Sequence, residues 1–441
     1  MTRSRRRTWL LRAAALPATA ALLLGSACTS AEEGGSDAPT GASGPGVSDE
    51  PCPNAIDTNK GCIYLGVLSD LEGGPFAVLG QSINEAQLAF WKQVNEDGGI
   101  GDYEIDIATN TKNTSYDVQK HAAAYQQVEP NVLALAMSLG TVNTQAVLDQ
   151  MDTGNLVAAA GTFWSGWQFP ADDKGVMLEA GYSYCTEAVI GLDWFASVHN
   201  KPAKVASVVY KGDYGGDYAA GAKKWVDANE SELVAEIETA PNAIAGSQDG
   251  PVGQIIAAAP DVVVLATGPQ EMAEIVAKAA QAGYKGRFLG AGPTWNGALL
   301  KTAAAPALTA LYNGTAPMQG WDGPSEGVKA ARDASGGKEP ANWGYLAGWA
   351  LSYPIKSLLE KANAEDKLNR AGVRSLVDGL EVDYKGMLPN STFGTEPDVT
   401  TQVATIAVPD AAAPLGMKTV VDGYKAPSLE KITYTEPCVR P

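Results

Sequence analysis

A chain of 441 residues with 45% hydrophobic content is too long for one ordinary core and suits two domains, each able to bury its own. The formal net charge of −18 argues against binding nucleic acid or anionic lipid through charge.

The N-terminus reads as an export signal over residues 1–27. Arg3, Arg5, Arg6, Arg7 and Arg12 form a basic region, and Ala13–Leu24 is apolar but too short to span a membrane. Removing this segment lowers the net charge by five, to −23. Arg6-Arg7-Thr8-Trp9-Leu10 loosely resembles a twin-arginine export signal. Leu24-Gly25-Ser26-Ala27-Cys28 resembles a bacterial lipobox, in which the cysteine is acylated, so Cys28 is the expected lipid anchor; a plain secretory signal is the alternative. Residues 28–51 are Ala, Glu, Gly, Ser, Asp and Pro with little to bury, a flexible tether reaching roughly 25–30 Å. The remaining cysteines, Cys52, Cys62, Cys185 and Cys438, suggest two disulfides outside the cell, with three pairings open.

The folded part begins with Ile63–Leu68, a run of strand formers. Gly73-Gly74-Pro75 ends it, and Ile83, Ala86, Phe90 and Val94 then fall at helical spacing. A strand over Tyr103–Thr109 precedes a helix for which Ser115 is the expected N-cap. Strands at Val132–Met137 and Leu156–Ala160 flank a short helix, Thr144–Asp152. A second series holds a helix from Thr186 to His199, the strand Lys204–Tyr210 and the helix Gly216–Asn229. Strands follow at Leu233–Glu238, Val262–Ala266 and Phe288–Ala291, with a helix over Gln270–Ala282. Repeated strand–helix units imply parallel sheets covered by helices, and two series imply two similar α/β domains. Further on, Trp343–Ala362 is a helical pattern that Pro354 should kink or end, and Gln402–Val408 is strand-like.

Enzyme signals are poor. The two histidines, His121 and His199, read as surface or helix-end residues. No metal motif, redox motif or nucleophile elbow occurs, and no cofactor is implied. The glycines of Lys211–Gly216 ease a tight turn and do not form a nucleotide loop. Binding signals are better. Ser138, Thr141, Asn143 and Thr144 sit where a strand gives way to a helix, a place that suits a carboxylate; simple capping by Asn143 or Thr144 is the alternative. Thr162 follows the next strand and adds a hydroxyl. Phe76, Phe163, Trp164 and Trp167 fall in loops, as site aromatics or as a satellite core; Trp91, Trp194, Trp225 and Trp349 fall in helices and read as packing.

With these features the chain resembles extracytoplasmic solute-binding proteins of type I, most closely the branched-chain amino acid (leucine/isoleucine/valine-binding) family of ABC-transporter receptors. Gly66–Gln81, Leu135–Ala160 and Val205–Gly221 carry the resemblance. It implies two doubly wound Rossmann-like α/β lobes joined by a three-segment hinge, the type I periplasmic-binding-protein fold. Lobe 1 would hold residues 62–181 and 316–383, and lobe 2 residues 182–315 and 384–441. It also implies a monomer that closes on a small-molecule ligand and delivers it to an ABC permease. Thr141, Thr162 and the backbone near Ala160 would hold a ligand carboxylate. Leu79 stands where an aromatic is usual, and Tyr214 matches an aromatic of the second lobe. The acid that holds an α-ammonium in amino-acid binders is replaced by Gly292 and Pro293, and Gly268-Pro269 replaces another aromatic. Asp213 or Asp322 could substitute for the missing acid, while Phe76, Trp164, Tyr214 and Trp295 could line the cleft. The expected ligand is therefore a small apolar or aromatic carboxylate, or a related neutral molecule, rather than a free α-amino acid. A sensory ligand-binding subunit and a secreted enzyme are the rival readings. Nearness in sequence pairs Cys52 with Cys62, and the family topology places Cys185 and Cys438 together in lobe 2, where they can pair without bridging the hinge.

Overall fold

The computed structural model describes residues 44–394, 397–398 and 401–440. The export signal and Cys28 lie outside the described residues. Two sheets form the frame, each at the heart of one lobe.

The first lobe holds strands β1 (Val47–Ser48), β2 (Gly61–Ser69), β3 (Tyr103–Asn113), β4 (Ala134–Leu139), β5 (Ala158–Gly161) and β6 (Met177–Leu178). Strands β3, β2, β4, β5 and β6 run parallel in that spatial order, so the chain reverses its winding between β2 and β4. The tether expected to last to residue 51 is pinned earlier: Val47 and Ser48 pair antiparallel with Ile63 and Cys62. Cys52 and Cys62 form a disulfide at the same corner.

The second lobe holds β7 (Lys204–Tyr210), β8 (Glu232–Thr239), β9 (Val262–Ala266), β10 (Arg287–Gly290) and β11 (Tyr312–Ala316). After the two-residue strands β12 (Glu381–Val382) and β13 (Ser391–Thr392), which pair with each other, it gains β14 (Val403–Pro409) and β15 (Met417–Lys425). The order β8-β7-β9-β10-β11 is parallel with a reversal between β7 and β9, and β14 and β15 extend it antiparallel. Val262–Ala266 is buried throughout because helices cover both faces of the sheet.

Helices complete the lobes and show where expectation failed. The helix Gly344–Ala364 packs on Ala77–Glu96, with Phe90 edge-on to Trp349 and Tyr353, so the chain returns to the first lobe after β11. Pro354 lies inside that helix and does not end it. Ser115 is not a cap: its φ is +49°, and Asp117 instead accepts the Lys120 N–H at the start of helix Val118–Val128. The helix expected over Thr144–Asp152 is two short ones, Thr141–Gln145 and Leu148–Thr153. Strand β11 escapes sequence reading because Asn313 and Gly314 are poor strand formers, held in place by β10 and β14.

Candidate functional site

Both winding reversals open toward one another. In open α/β sheets ligands bind at such points, outside the carboxyl ends of the strands. After β2, the Asp70 carboxylate accepts the N–H groups of Gly74 (3.1 Å) and Phe76 (2.9 Å). These bonds fold the glycine loop and set Phe76 at the mouth of its helix. After β3, Tyr116 stands at a φ of +56°. After β4, Gly140 takes a φ of +97°, a turn that only glycine makes without strain. From the second lobe come Tyr184, at the start of helix Tyr184–His199, then Tyr214 after β7 and Pro293 after β10.

These residues enclose a cavity of about 30 Å³, lined also by Leu79, Leu139, Gly161 and Thr162. That is room for a water or two, so the lobes stand closed, and a larger solute requires them to part. The wall is aromatic. Phe76 meets Tyr116 at 4.7 Å and Tyr214 at 5.9 Å between ring centroids, and Tyr184 meets Tyr214 at 4.8 Å. Burial pushes the phenols of Tyr116, Tyr184 and Tyr214 well above their ordinary range, so all three are neutral hydrogen-bonding groups.

The polar edge is a pair of hydroxyls. Thr141 Oγ1 and Thr162 Oγ1 lie 2.6 Å apart, both buried. Behind them Ser138 Oγ meets Thr144 Oγ1 at 2.8 Å and His121 Nε2 at 3.1 Å. His121 is fully buried, not a surface residue, and burial lowers its pKa to about 4. The site therefore receives hydroxyl dipoles and no cationic imidazole. The helix that opens at Thr141 has only five residues, so its dipole adds little beside the paired hydroxyls.

The structure gathers some expected residues and separates others. Phe76, Leu79, Thr162 and Tyr214 line the cavity, with Thr141 one hydrogen bond behind Thr162. Ala160 pairs with Ser138 inside the sheet, and its neighbour Gly161 reaches the cavity. Asn143 turns back to the Leu139 carbonyl and neither caps nor lines. Trp164 donates to the Val439 carbonyl and stands edge-on to Trp167 in a small core, so these two tryptophans are packing residues. Phe163 packs edge-on or tilted against Tyr182 and Tyr184. Gly292 and Trp295 line a different cavity. Asp322 is exposed, whereas Asp213 accepts the Tyr116 hydroxyl at 2.9 Å, at the rim. Tyr116 and Tyr184 escaped sequence reading. The only signal was their place beyond strand ends, which many non-site residues share.

A buried carboxylate ties distant chain segments together. Glu187 Oε1 accepts the Tyr182 hydroxyl at 3.2 Å, the Gly292 N–H at 2.9 Å and the Thr315 hydroxyl, joining three separate chain segments. Its Oε2 is buried without a hydrogen bond, and burial raises its pKa to about 7. Nearby, Cys185 and Cys438 are disulfide-bonded. This is the expected pairing, and hydrogen bonds rather than the disulfide itself run from here to the first lobe. The Cys438 N–H donates to Ser165 Oγ of the first lobe at 2.8 Å, and Asp217 of the second lobe accepts the Ser165 and Cys185 N–H groups at 3.0 Å. Among the described residues, no cluster of three or more His, Cys, Asp or Glu is placed to hold a metal ion, and no helix is long and apolar enough to cross a membrane.

Comparison with known proteins agrees with this geometry. No curated protein matches the chain by sequence. Among solved structures it is similar to a fatty acid ABC transporter substrate-binding protein from Thermomonospora curvata. That likeness has a TM-score of 0.80 at 24% identity, over 90% of this chain and 97% of that one. It is also similar to a branched chain amino acid ABC transporter protein from Thermus thermophilus with bound valine (TM-score 0.71, 15% identity, 84% and 98% covered). A third is a solute binding protein of an ABC transporter from R. palustris, in complex with benzoate (TM-score 0.66, 14% identity, 82% and 98% covered). These likenesses show the two-lobed fold. The family match runs over residues 63–412, most of the chain, and on that ground the protein belongs to the periplasmic binding protein family.

Proposed function

We propose that the chain is the extracytoplasmic substrate-binding lipoprotein of an ABC importer, and that it captures a small apolar or aromatic carboxylate between its lobes. One observation carries the choice of ligand. The paired hydroxyls of Thr141 and Thr162 border an aromatic wall, and where an ammonium-binding acid would be expected stands Gly292. A Cβ at that position would lie 3.3 Å from the Trp343 indole, so an aromatic ring already occupies the neighbouring space. A buried ammonium without a carboxylate costs several kcal/mol. Asp213 is already engaged by the Tyr116 hydroxyl, and burial raises its pKa. The fatty acid and benzoate proteins among the structural relatives support this class, and the valine-bound relative supports the family's amino-acid alternative.

In this reading the lobes comprise residues 62–181 with 316–383, and 182–315 with 384–441. They close by hinge motion and present both faces to a membrane permease. The protein works as a monomer, binds and does not transform its solute, and is tethered by an acylated Cys28. Replacing Cys28 with Ala should release it from the membrane fraction; a variant that stays membrane-bound at unchanged mass defeats the anchor. Calorimetry with leucine and phenylalanine against their deaminated 2-oxo acids tests the ligand class. The oxo acids should bind more tightly, and a tenfold preference for either amino acid, ~1.4 kcal/mol, overturns the assignment.

A further inference from the structure

A second cavity lies beside the cleft. Its volume is about 70 Å³ against about 30 Å³ for the cleft itself. Trp295, Tyr312, Met318, Trp321, Trp343 and Leu346 supply the large apolar side chains of its wall, and no lining residue carries a full charge. Trp343 and Leu346 belong to the start of the helix that packs on the first lobe, while Trp295 and Tyr312 belong to the second. The cavity therefore lies between the lobes, as the cleft does.

The polar tips of its rings are largely used within the protein. Trp295 donates to the Leu415 carbonyl at 3.2 Å, and the Tyr312 hydroxyl meets Thr294 Oγ1 at 2.6 Å, so the two stacked rings offer carbon faces. One donor, the Trp343 indole N–H, is buried without a partner. Such walls suit hydrocarbon, since a charged group would lose its hydration with nothing to replace it.

The two cavities share the segment Ala291-Gly292-Pro293. Pro293 lines the cleft, and Ala291 and Gly292 line the second cavity. We propose that the second cavity is the subsite for the hydrocarbon tail of the same solute whose carboxylate meets Thr141 and Thr162. This inference rests on the carboxylate reading above. The tail passes Tyr214 and Pro293 and, as the lobes part, crosses Gly292 beside the Trp343 ring to reach Trp295. The half-exposed rim at Gln319 and Gly320 gives a longer tail a way toward solvent. The ligand class is then an unbranched alkyl or arylalkyl carboxylate with no polar group at its far end.

Calorimetry of the purified protein with straight-chain acids from butanoate to dodecanoate tests this. Affinity should rise about fourfold per methylene while the tail fills the subsite. Ala407→Phe, which places a ring into the cavity from β14, should weaken decanoate at least tenfold more than butanoate. Met417→Ala, a truncation at a half-exposed lining residue, should carry the gain to longer acids. If butanoate binds but affinity is flat with length, or if Ala407→Phe weakens every acid equally, the tail subsite is wrong and the cleft reading stands. If no acid of any length binds, the cleft reading falls and the subsite with it.

Discussion

The Tyr116 hydroxyl donates a 2.9 Å hydrogen bond to the Asp213 carboxyl, and the bond joins one lobe to the other. Tyr116 follows β3 and Asp213 follows β7, so parting the lobes would break the contact. Tyr116→Phe keeps the ring against Phe76 and deletes the donor. A hydrogen bond to a charged group contributes ~1.5–3 kcal/mol, less where the acid is partly neutral. The variant should populate the open form more and bind its solute more weakly, by up to roughly 100-fold. Small-angle scattering without solute should show a larger radius of gyration; an unchanged radius and affinity would mean the bond does not hold the lobes.

Thr141 offers a check on the other end of the site. Its hydroxyl and that of Thr162 share one hydrogen bond at 2.6 Å and can both turn to an anion. Thr141→Ala should weaken carboxylate binding by ~1.5–3 kcal/mol through loss of a charge-assisted bond. The loss should be equal for short and long acids, because only the head is affected. Unchanged affinity would move the carboxylate elsewhere.

Stability should fall as pH rises from about 5 to 8. Burial raises the pKa of Glu187 and of Asp217 to about 7, above their unfolded values. A group raised in this way contributes stability that is complete below its unfolded pKa and is lost as pH climbs through its folded pKa. For Glu187 the effect is on the order of 3 kcal/mol between roughly pH 4.5 and 7. His121 works the opposite way: its pKa is lowered to about 4, so its contribution is lost as pH falls below about 6.5. Burial lowers His199 as well, but Asp70, Asp173, Glu179 and Asp213 are also raised by burial, so the acids outnumber the two histidines. Thermal unfolding should give a higher Tm at pH 5.5 than at pH 8, and Glu187→Gln should flatten the slope. A Tm that climbs with pH over this range would contradict the burial of these acids.

The C-terminal segment is held in place by covalent and polar links. Cys438 is bonded to Cys185, Trp164 donates to the Val439 carbonyl at 2.8 Å, and Arg440 reaches Asp172 at 3.0 Å. Replacing both cysteines with serine should cost ~2–5 kcal/mol of stability. It should also free the tail from Trp164, which tryptophan fluorescence would report. If Tm falls by less than a degree, the disulfide is not a main support of the fold.

Much of the frame was legible from the chain alone. Lys204–Tyr210 and Val262–Ala266 match the sequence reading to the residue, because a strand buried on both faces is a continuous β-branched run between breakers. The loops beyond those strands read as binding loops in the sequence, and Phe76, Leu79, Thr162 and Tyr214 from them line one cavity. The family's missing acid was legible at Gly292, but that Trp343 fills the space beside it was not. Contacts between residues far apart in sequence were decided only by the tertiary structure. Tyr116 lies 97 positions from Asp213, and Glu187 lies 105 from Gly292 and 128 from Thr315. Local patterning sets strands and helices through neighbouring residues. Which loops face across a cleft, which acids lose their water and which aromatics share a cavity depend on how two sheets are docked, and no short stretch of sequence encodes that distance.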